Sequence, residues 1–221
     1  MAAAVGAAWR HRERVEREAA ALFAALAGEL DAVGYPALAS RARAAADDER
    51  RHAARCRAIV DACAPGLAPL PVTAIAVAPA AVVLDRRAGA LYASVAMGCV
   101  TETLSCALLL AMRAEVTFAP VVAAVDEIVK DEIEHGRLGW AHLAVEAARG
   151  DVAWLGPHVT AMRTAALTHD VEPLLAAAPA PALGAYGLLS RAQVAAIVDD
   201  TWRDVIVPGL ARAGIAVAAQ K

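Results

Sequence analysis

The chain has 221 residues, of which 59% are hydrophobic and 4% aromatic, and its formal net charge is −3. This length is enough to bury a sizeable core in one domain, so the chain need not depend on disulfide bonds. The alanine-, leucine- and valine-rich composition favours helices over β-sandwiches, and the lack of a basic excess argues against nucleic acid as a partner. We therefore expect an all-α protein.

Glycines and prolines divide the sequence into long helical segments. The pattern predicts four helices, with these bounds: about residue 5 to Val33, Pro36 to about Ala62, Asp85 to about Glu115, and Pro120 to near Gly150. Short turns join the first pair and the last pair, so each pair should form an antiparallel hairpin. Four prolines between residues 65 and 83 predict a long crossover between the second helix and the third.

Residues 1–150 therefore form a predicted four-helix bundle, and residues 151–221 form a helical C-terminal extension packed on it. The extension should contain a helix over residues 151–168, a proline-spaced stretch from Pro173 to Pro181, and a helix from a Ser190 cap to about Ile206. It would cover a substrate pocket or make a homodimer, and the sequence leaves both open.

The four cysteines, at positions 56, 63, 99 and 106, suit a reducing cytoplasm better than a secreted disulfide scaffold. The N-terminus lacks a signal-peptide pattern, so we expect a cytoplasmic protein. The cysteine spacing of seven is unlike that of structural zinc sites and predicts buried apolar thiols. The apolar stretch 88–112 carries Glu102 near its middle, which favours a buried helix of a soluble bundle over a membrane span.

The second and fourth helices each contain a Glu-x-x-His motif, formed by Glu49 and His52 and by Glu132 and His135. A separation of three residues puts both side chains on one helix face, where they can bind a common metal centre. One such motif is weak, because 24 acidic residues and 6 histidines make a chance match common. Two motifs on separate long helices indicate a metal site.

A dinuclear bundle site also needs one glutamate from each of the other two helices. The third helix offers Glu102, which lies in an otherwise apolar stretch. The first helix offers Glu13, Glu16 and Glu18, of which Glu16 lies nearest to the apolar stripe. The predicted metal ligands are Glu16, Glu49, His52, Glu102, Glu132 and His135.

This pattern resembles the ferritin-like superfamily of dinuclear carboxylate proteins, such as bacterioferritin and rubrerythrin, over roughly residues 8–149. Residues 98–104 (Gly-Cys-Val-Thr-Glu-Thr-Leu) and 131–138 (Asp-Glu-Ile-Glu-His-Gly-Arg-Leu) also look like ferritin-like-domain sequences. The resemblance implies two iron ions, with Glu49 and Glu132 bridging them. Manganese suits the same ligands, and residue types alone do not exclude zinc.

The resemblance also implies a reaction with dioxygen or peroxide. We expect a di-iron oxidase or oxygenase that oxidises a small organic substrate and draws electrons from an external donor. The alternatives are a ferroxidase, a peroxide scavenger or mini-ferritin, and a bundle that holds structural metal. The sequence departs from rubrerythrin in lacking the Cys-x-x-Cys pairs of a rubredoxin-like domain, which puts that route of electron delivery in doubt.

Three further predictions concern residues around the site. Asp48 and Asp131 each lie four residues before a ligand histidine, so we expect Asp48 to accept a hydrogen bond from His135, and Asp131 from His52. His142, seven residues after His135, is either part of a substrate or proton path or a core-edge histidine bonded to the extension. The other expectations are a core or interface position for Tyr92 and the tryptophans, and surface positions for His11, His158 and His169.

Overall fold

A computed structural model describes residues 2–72, 85–177 and 181–217. This part of the chain contains six helices and no strand, which confirms the all-α prediction. The helices are α1 (Ala2–Ala32), α2 (Pro36–Cys63), α3 (Arg86–Glu115), α4 (Ala119–Ala147), α5 (156–177) and α6 (191–212). Two short 3₁₀ turns, Ala153–Leu155 and Pro181–Tyr186, precede α5 and α6.

Three of the helices contain a wider π-helical segment that was not predicted from the sequence. In α3 this segment is Val95–Glu102, in α5 it is Leu167–Val171, and in α6 it is Trp202–Ile206. Such segments are rare and often occur at functional sites. The segment in α3 ends on Glu102, one of the predicted metal ligands.

The helix ends follow the local signals in the sequence. Gly34 adopts a φ of 84° in the turn between α1 and α2, and Pro36 is the first residue of α2. Asp85 caps α3 by accepting a hydrogen bond from the Ala88 amide at 2.8 Å. The last helix begins after a Ser190 cap, as predicted, but continues to Arg212 rather than ending near Ile206.

The first four helices form the predicted bundle, in which α1 packs on α2, α3 on α4, α2 on α4 and α1 on α3. The crossover was predicted over 65–83, and residues 73–84 of it lie outside the described residues, as do residues 178–180 of the predicted proline-spaced stretch. Within the described part of the crossover, Arg10 and Arg17 on α1 donate hydrogen bonds to the carbonyl oxygens of Ala68 and Leu70. These bonds hold the start of the crossover against α1.

The C-terminal extension shares its hydrophobic core with the bundle. Leu155, Val159 and Ile206 are fully buried in the same cluster as Leu109 and Ile128 of the bundle. Burying one such side chain stabilises a fold by about 1.5–3 kcal/mol. The extension is therefore packed on the bundle, whereas a domain boundary at residue 150 stays a prediction.

Helix α3 is long and apolar enough, by length and composition, to cross a membrane. Of its most apolar 18-residue window, 61% is buried inside the structure. Tyr92, Cys99 and Leu109 of this helix are at most 1% exposed and contribute to the core, which accounts for its apolar composition.

Helices α3 and α4 approach each other most closely at two glycines, Gly98 and Gly139. A Cβ atom added to Gly139 would lie 2.6 Å from the Ser94 carbonyl oxygen and 2.7 Å from the Gly98 Cα atom. Both are backbone atoms, so the helices could only accommodate a methyl group by moving apart. This contact sets the distance between the helices that carry Glu102 and His135.

We predict that Gly139→Ala destabilises the protein by about 1–3 kcal/mol, because overpacking a close helix crossing forces backbone shifts. Thermal unfolding followed by circular dichroism would measure the change. The control is Gly89→Ala, where an added Cβ meets no atom within 4 Å, so that a helix interior gains an alanine at no steric cost. Equal stability of the two variants would contradict the prediction.

Candidate metal centre

All six predicted ligands converge inside the bundle, where each residue is at most 5% exposed. They divide into two groups, in each of which one potential ligand atom per residue lies within 4.8 Å of the others. One group is Glu16, Glu49, His52 and Glu132, and the other is Glu49, Glu102, Glu132 and His135. Each helix of the bundle supplies at least one ligand.

Glu49 and Glu132 belong to both groups. A carboxylate has two oxygens, so one side chain can contact a cation on each side. Two adjacent cation positions, each lined by three carboxylates and one imidazole, follow from this sharing. The geometry therefore supports the bridging roles that the resemblance implied for these two residues.

The two histidines present the same ring nitrogen to the cluster. The Nδ1 atom of His52 lies 3.3 Å from Glu49 and 3.7 Å from Glu16. The Nδ1 atom of His135 lies 3.0 Å from Glu49 and 3.3 Å from Glu132. Nδ1 is therefore the atom that each imidazole would offer to a metal ion.

The opposite nitrogen of each ring faces an aspartate of the other helix. His52 Nε2 lies 3.2 Å from Asp131 Oδ2, and His135 Nε2 lies 3.3 Å from Asp48 Oδ2. Both contacts expected from the sequence are thus present. An Nε2–H bond to a carboxylate fixes the ring orientation and makes Nδ1 a stronger ligand.

Arg51 connects these two aspartates and was not among the residues predicted from the sequence. Its guanidinium donates to Asp48 at 2.5 Å and to Asp131 at 2.9 Å. One cation therefore holds both carboxylates that orient the histidines. Its position between the two motif helices depends on how α2 packs on α4, so a motif search along one helix does not find it.

The π-helical segment of α3 positions Glu102. Wider helical turns leave backbone carbonyls without their usual partners, and two threonine hydroxyls meet this need. Thr101 donates to the Ala96 carbonyl at 3.1 Å, and Thr103 donates to the Gly98 carbonyl at 3.3 Å. Gly98, Thr101 and Thr103 lie in the segment 98–104 that resembles ferritin-like-domain sequences. The π segment itself could not be predicted, because the hydrophobic periodicity of the sequence does not distinguish a π segment from an α-helix.

The three neighbouring glutamates of α1 are all buried but have different partners. Glu16 faces His52 and the cluster. Glu13 pairs with Arg57 at 3.2 Å and with Arg17 at 3.8 Å, whereas Glu18 lies 3.7 Å from Arg14. Of the three, Glu16 is the one in the cluster, in agreement with its predicted position.

The metal-free cluster holds protons in place of cations. Burial raises the pKa of Glu16 to about 8, reinforced by the charges of Glu49 and Glu132. Burial, followed by the charge of Glu132, also holds the pKa of Glu102 well above its usual range. In Glu49, burial raises the pKa, but close contacts with the imidazoles, first His135 and then His52, outweigh it and lower the pKa to about 2.

The pKa values of the two imidazoles are raised, whereas burial usually lowers the pKa of a histidine. Burial lowers the pKa of His52, but hydrogen bonds to Glu16 and Glu49 outweigh it and raise the pKa to about 11. For His135, burial is likewise outweighed by the nearby carboxylates of Glu132 and Glu49, and the pKa rises to about 10. Both imidazoles are therefore protonated at neutral pH when no metal is bound.

The donor set fits a pair of divalent cations. His135 Nδ1 lies 3.0 Å from Glu49 Oε1 and 3.3 Å from Glu132 Oε2, but none of these three buried atoms makes a well-aligned hydrogen bond within the described structure. Buried polar atoms without partners are costly, and four carboxylates repel one another when ionised. Two divalent cations would satisfy these atoms and neutralise the four carboxylates. Carboxylate and imidazole ligands suit iron or manganese.

A cavity of about 480 Å³ opens beside the cluster, between α1, α3 and α5. Glu16, Glu49, Glu102 and Glu132 line it on the side of the cluster. Helix α5 lies across α3 and α1 and forms the opposite wall. The apolar lining includes Val15, Leu22, Leu104, Leu108, Met162 and Leu174. The extension therefore covers this side of the cluster, which is one of the two roles left open by the sequence.

His142 is fully buried but does not line this cavity. Its Nδ1 atom lies 2.7 Å from the Ser94 hydroxyl, and its Nε2 atom lies 3.6 Å from Glu146. The ring meets the edge of Tyr35 at a centroid distance of 5.1 Å. These partners belong to the bundle, so the expected bond to the extension is wrong, because α3 and α4 already enclose the ring. A role in a proton path stays a prediction.

The surface position predicted for His11 is wrong, because α5 covers this part of α1. His11 is 5% exposed and donates through Nε2 to the Asp170 carbonyl at 3.1 Å. His158 and His169 are half-buried. Tyr92, Trp9 and Trp202 are buried as predicted, whereas Trp140 and Trp154 are half-buried. The prediction of buried thiols holds for Cys56 and Cys99 but not for Cys63 and Cys106, which are half-buried.

We predict that the protein binds roughly two iron(II) or manganese(II) ions per chain, because the ligands form two adjacent groups. A Glu49→Ala, Glu132→Ala variant removes both shared ligands and should bind none tightly. Elemental analysis after anaerobic loading would measure this. The control is Asp47→Ala, Glu134→Ala, which removes exposed carboxylates from the same two helices. Equal metal content in wild type and the ligand variant would contradict the prediction.

We also predict that metal binding releases protons at pH 7, including one from each imidazole, because metal ligation requires the neutral ring. Since the pKa values of His52 and His135 are raised, the affinity for metal should increase as the pH rises from 6 toward 9. Titration calorimetry in buffers of different ionisation enthalpy would count the protons. Binding without proton release would contradict the prediction.

Comparison with known proteins agrees with this geometry. A family model described as rubrerythrin matches residues 14–141, which include all six candidate ligands. Comparison with curated proteins and with solved structures gave no match. The matched segment covers more than half of the chain and coincides with the four-helix bundle. The chain belongs to the rubrerythrin family, a group of di-iron carboxylate four-helix bundles within the ferritin-like superfamily.

Proposed function

We propose that this protein is a di-iron oxidase or oxygenase that uses dioxygen to oxidise a small organic molecule. The observation that carries the proposal is the cavity of about 480 Å³ that four of the carboxylate ligands line directly. Binding sites for small organic molecules usually have volumes of about 300–1,000 Å³ and mostly apolar walls. Peroxide, which is little larger than water, needs only a small fraction of this space.

The side chains of the chain have defined tasks in this proposal. Glu16, Glu49, His52 and Glu132 would hold one iron ion, and Glu49, Glu102, Glu132 and His135 the other. Bound iron would supply the electrons and the activation of dioxygen. Arg51 holds the two aspartates that bond to the histidines. These aspartates would keep the imidazoles oriented when the charge of the bound iron changes.

The apolar walls contribute to the same chemistry by excluding water. Leu104 and Leu108 on α3 and Met162 on α5 are buried apolar side chains in these walls. A dry cavity lets an organic molecule lie beside the ligands and protects reactive species from side reactions. An external donor would supply the electrons.

The second candidate function is peroxide scavenging, and the family match favours it. In this alternative peroxide is the substrate, and the cavity has no role in the reaction. The two candidates share the metal ligands, so substitutions of the ligands do not separate them. Substitutions in the apolar walls of the cavity do.

We predict that Val15→Phe lowers the yield of oxidised product by about tenfold or more. The larger side chain would occupy part of the cavity and leave too little space for the organic substrate. The assay combines iron-loaded protein, a chemical reductant, dioxygen and 4-phenylbutan-1-ol as the probe, with products detected by mass spectrometry. Peroxide consumption by the same variant should stay within about twofold of wild type, since peroxide needs little space.

The matched control is Val145→Phe on α4, where the side chain is 40% exposed and lies outside the cavity. This variant should form product at the wild-type rate. Rapid peroxide consumption without any organic product from wild type would favour peroxide scavenging. Metal binding without either reaction would leave a structural metal site.

A further inference from the structure

Arg12 lies in the wall of the cavity, one helical turn before the ligand Glu16. Its side chain is 11% exposed, so little of its charge is solvated. Its nearest carboxylate is Glu16 at 3.9 Å, which is too long for a hydrogen bond. Its remaining contacts are a bond from Nη2 to the Met112 sulfur at 3.5 Å and a position 5.8 Å from the centre of the Trp9 ring.

These contacts leave most of the hydrogen-bonding capacity of Arg12 unused. A guanidinium carries five N–H donors, and a thioether sulfur is a weak acceptor. Among the described residues, no oxygen accepts a hydrogen bond from Arg12. Glu16 also faces the metal centre, so its single charge would be shared between Arg12 and a metal ion. A buried cation in this state favours an anionic partner from outside the chain.

The other charged groups along this part of the cavity are already paired with one another. Glu18 lies 3.7 Å from Arg14 and 3.4 Å from His169. His169 Nδ1 lies 2.7 Å from the Asp170 carboxylate. His11 bonds to the Asp170 carbonyl and accepts from Arg14 at 3.2 Å. This polar cluster holds α5 on α1 and leaves Arg12 as the cation that faces the cavity.

We propose that Arg12 binds the carboxylate of the substrate, and that the substrate is therefore a small apolar carboxylic acid. This inference rests on the proposed function and names the substrate class for the same cavity. The two nitrogens at the edge of a guanidinium match the two oxygens of a carboxylate. The apolar walls at Leu22, Leu104 and Leu108 accommodate the rest of the molecule.

The charges of the cavity also select against a larger anion. A phosphate dianion would bring two negative charges to the single positive charge of Arg12 in the cavity wall, whereas a carboxylate brings one. One guanidinium compensates one negative charge. A singly charged acid with its carboxylate on Arg12 places its apolar part beside the metal ligands, where oxidation is proposed to occur.

The test compares the binding of an acid and its matched alcohol to the iron(II)-loaded protein without dioxygen. Titration calorimetry with 4-phenylbutanoate and 4-phenylbutan-1-ol should show that wild type binds the acid at least about tenfold more tightly. Arg12→Gln should remove this preference and leave the affinity for the alcohol unchanged. Arg12→Met, which keeps the contacts with Trp9 and Met112, should give the same loss if Arg12→Gln does not fold.

The control is Arg43→Gln, which removes the same charge from an exposed arginine that pairs with Asp31. It should keep the wild-type preference for the acid. Equal affinity of wild type for acid and alcohol, or failure to bind the acid, would overturn the proposal. A preference that survives Arg12→Gln but disappears when iron is removed would assign the carboxylate to the metal instead. Tight acid binding, with no product from the acid once a reductant and dioxygen are added, would support Arg12 but overturn the proposed function.

Discussion

The burial of four carboxylates and two imidazoles at the centre of one bundle is the constraint on which the rest of the structure depends. Ionised carboxylates in a low-dielectric interior repel one another and lose their hydration, which costs several kcal/mol. The metal-free chain compensates by holding protons, as the raised pKa values of Glu16 and His52 show. Two divalent cations would provide the same compensation without those protons, so folding, metal affinity and pH are coupled at this site.

Residues around the cluster fix the positions of the six candidate ligands. Gly98 and Gly139 let α3 and α4 approach closely, and the π segment of α3 turns Glu102 toward the cluster. Arg51 holds both aspartates that bond to the ligand histidines. Each of these features fixes where a ligand lies and does not change which residues are ligands. A bundle with the same six ligands but a different helix spacing would therefore bind metal less tightly.

The C-terminal extension changes what the cluster can do. Helix α5 lies across α1 and α3 and encloses an apolar cavity beside the ligands. The cation of Arg12 faces this space, and the other charged groups nearby pair with one another. A dinuclear centre that opens directly to solvent is suited to small inorganic substrates. The apolar space beside the ligands is the reason why we favour an organic substrate.

The sequence by itself determined the helical class, the ends of the main helices and the six residues that converge, because each depends on local signals or on helical periodicity. Glu-x-x-His spacing puts two ligands on one face wherever the helix lies. Only the tertiary structure decided which residues meet across helices. The position of Arg51, the cavity, the burial of His11 and the place of Arg12 in the cavity wall all depend on how α2 meets α4 and how α5 lies on α1. Such contacts join residues far apart in the chain, and no pattern within one helix encodes the distance between two of them.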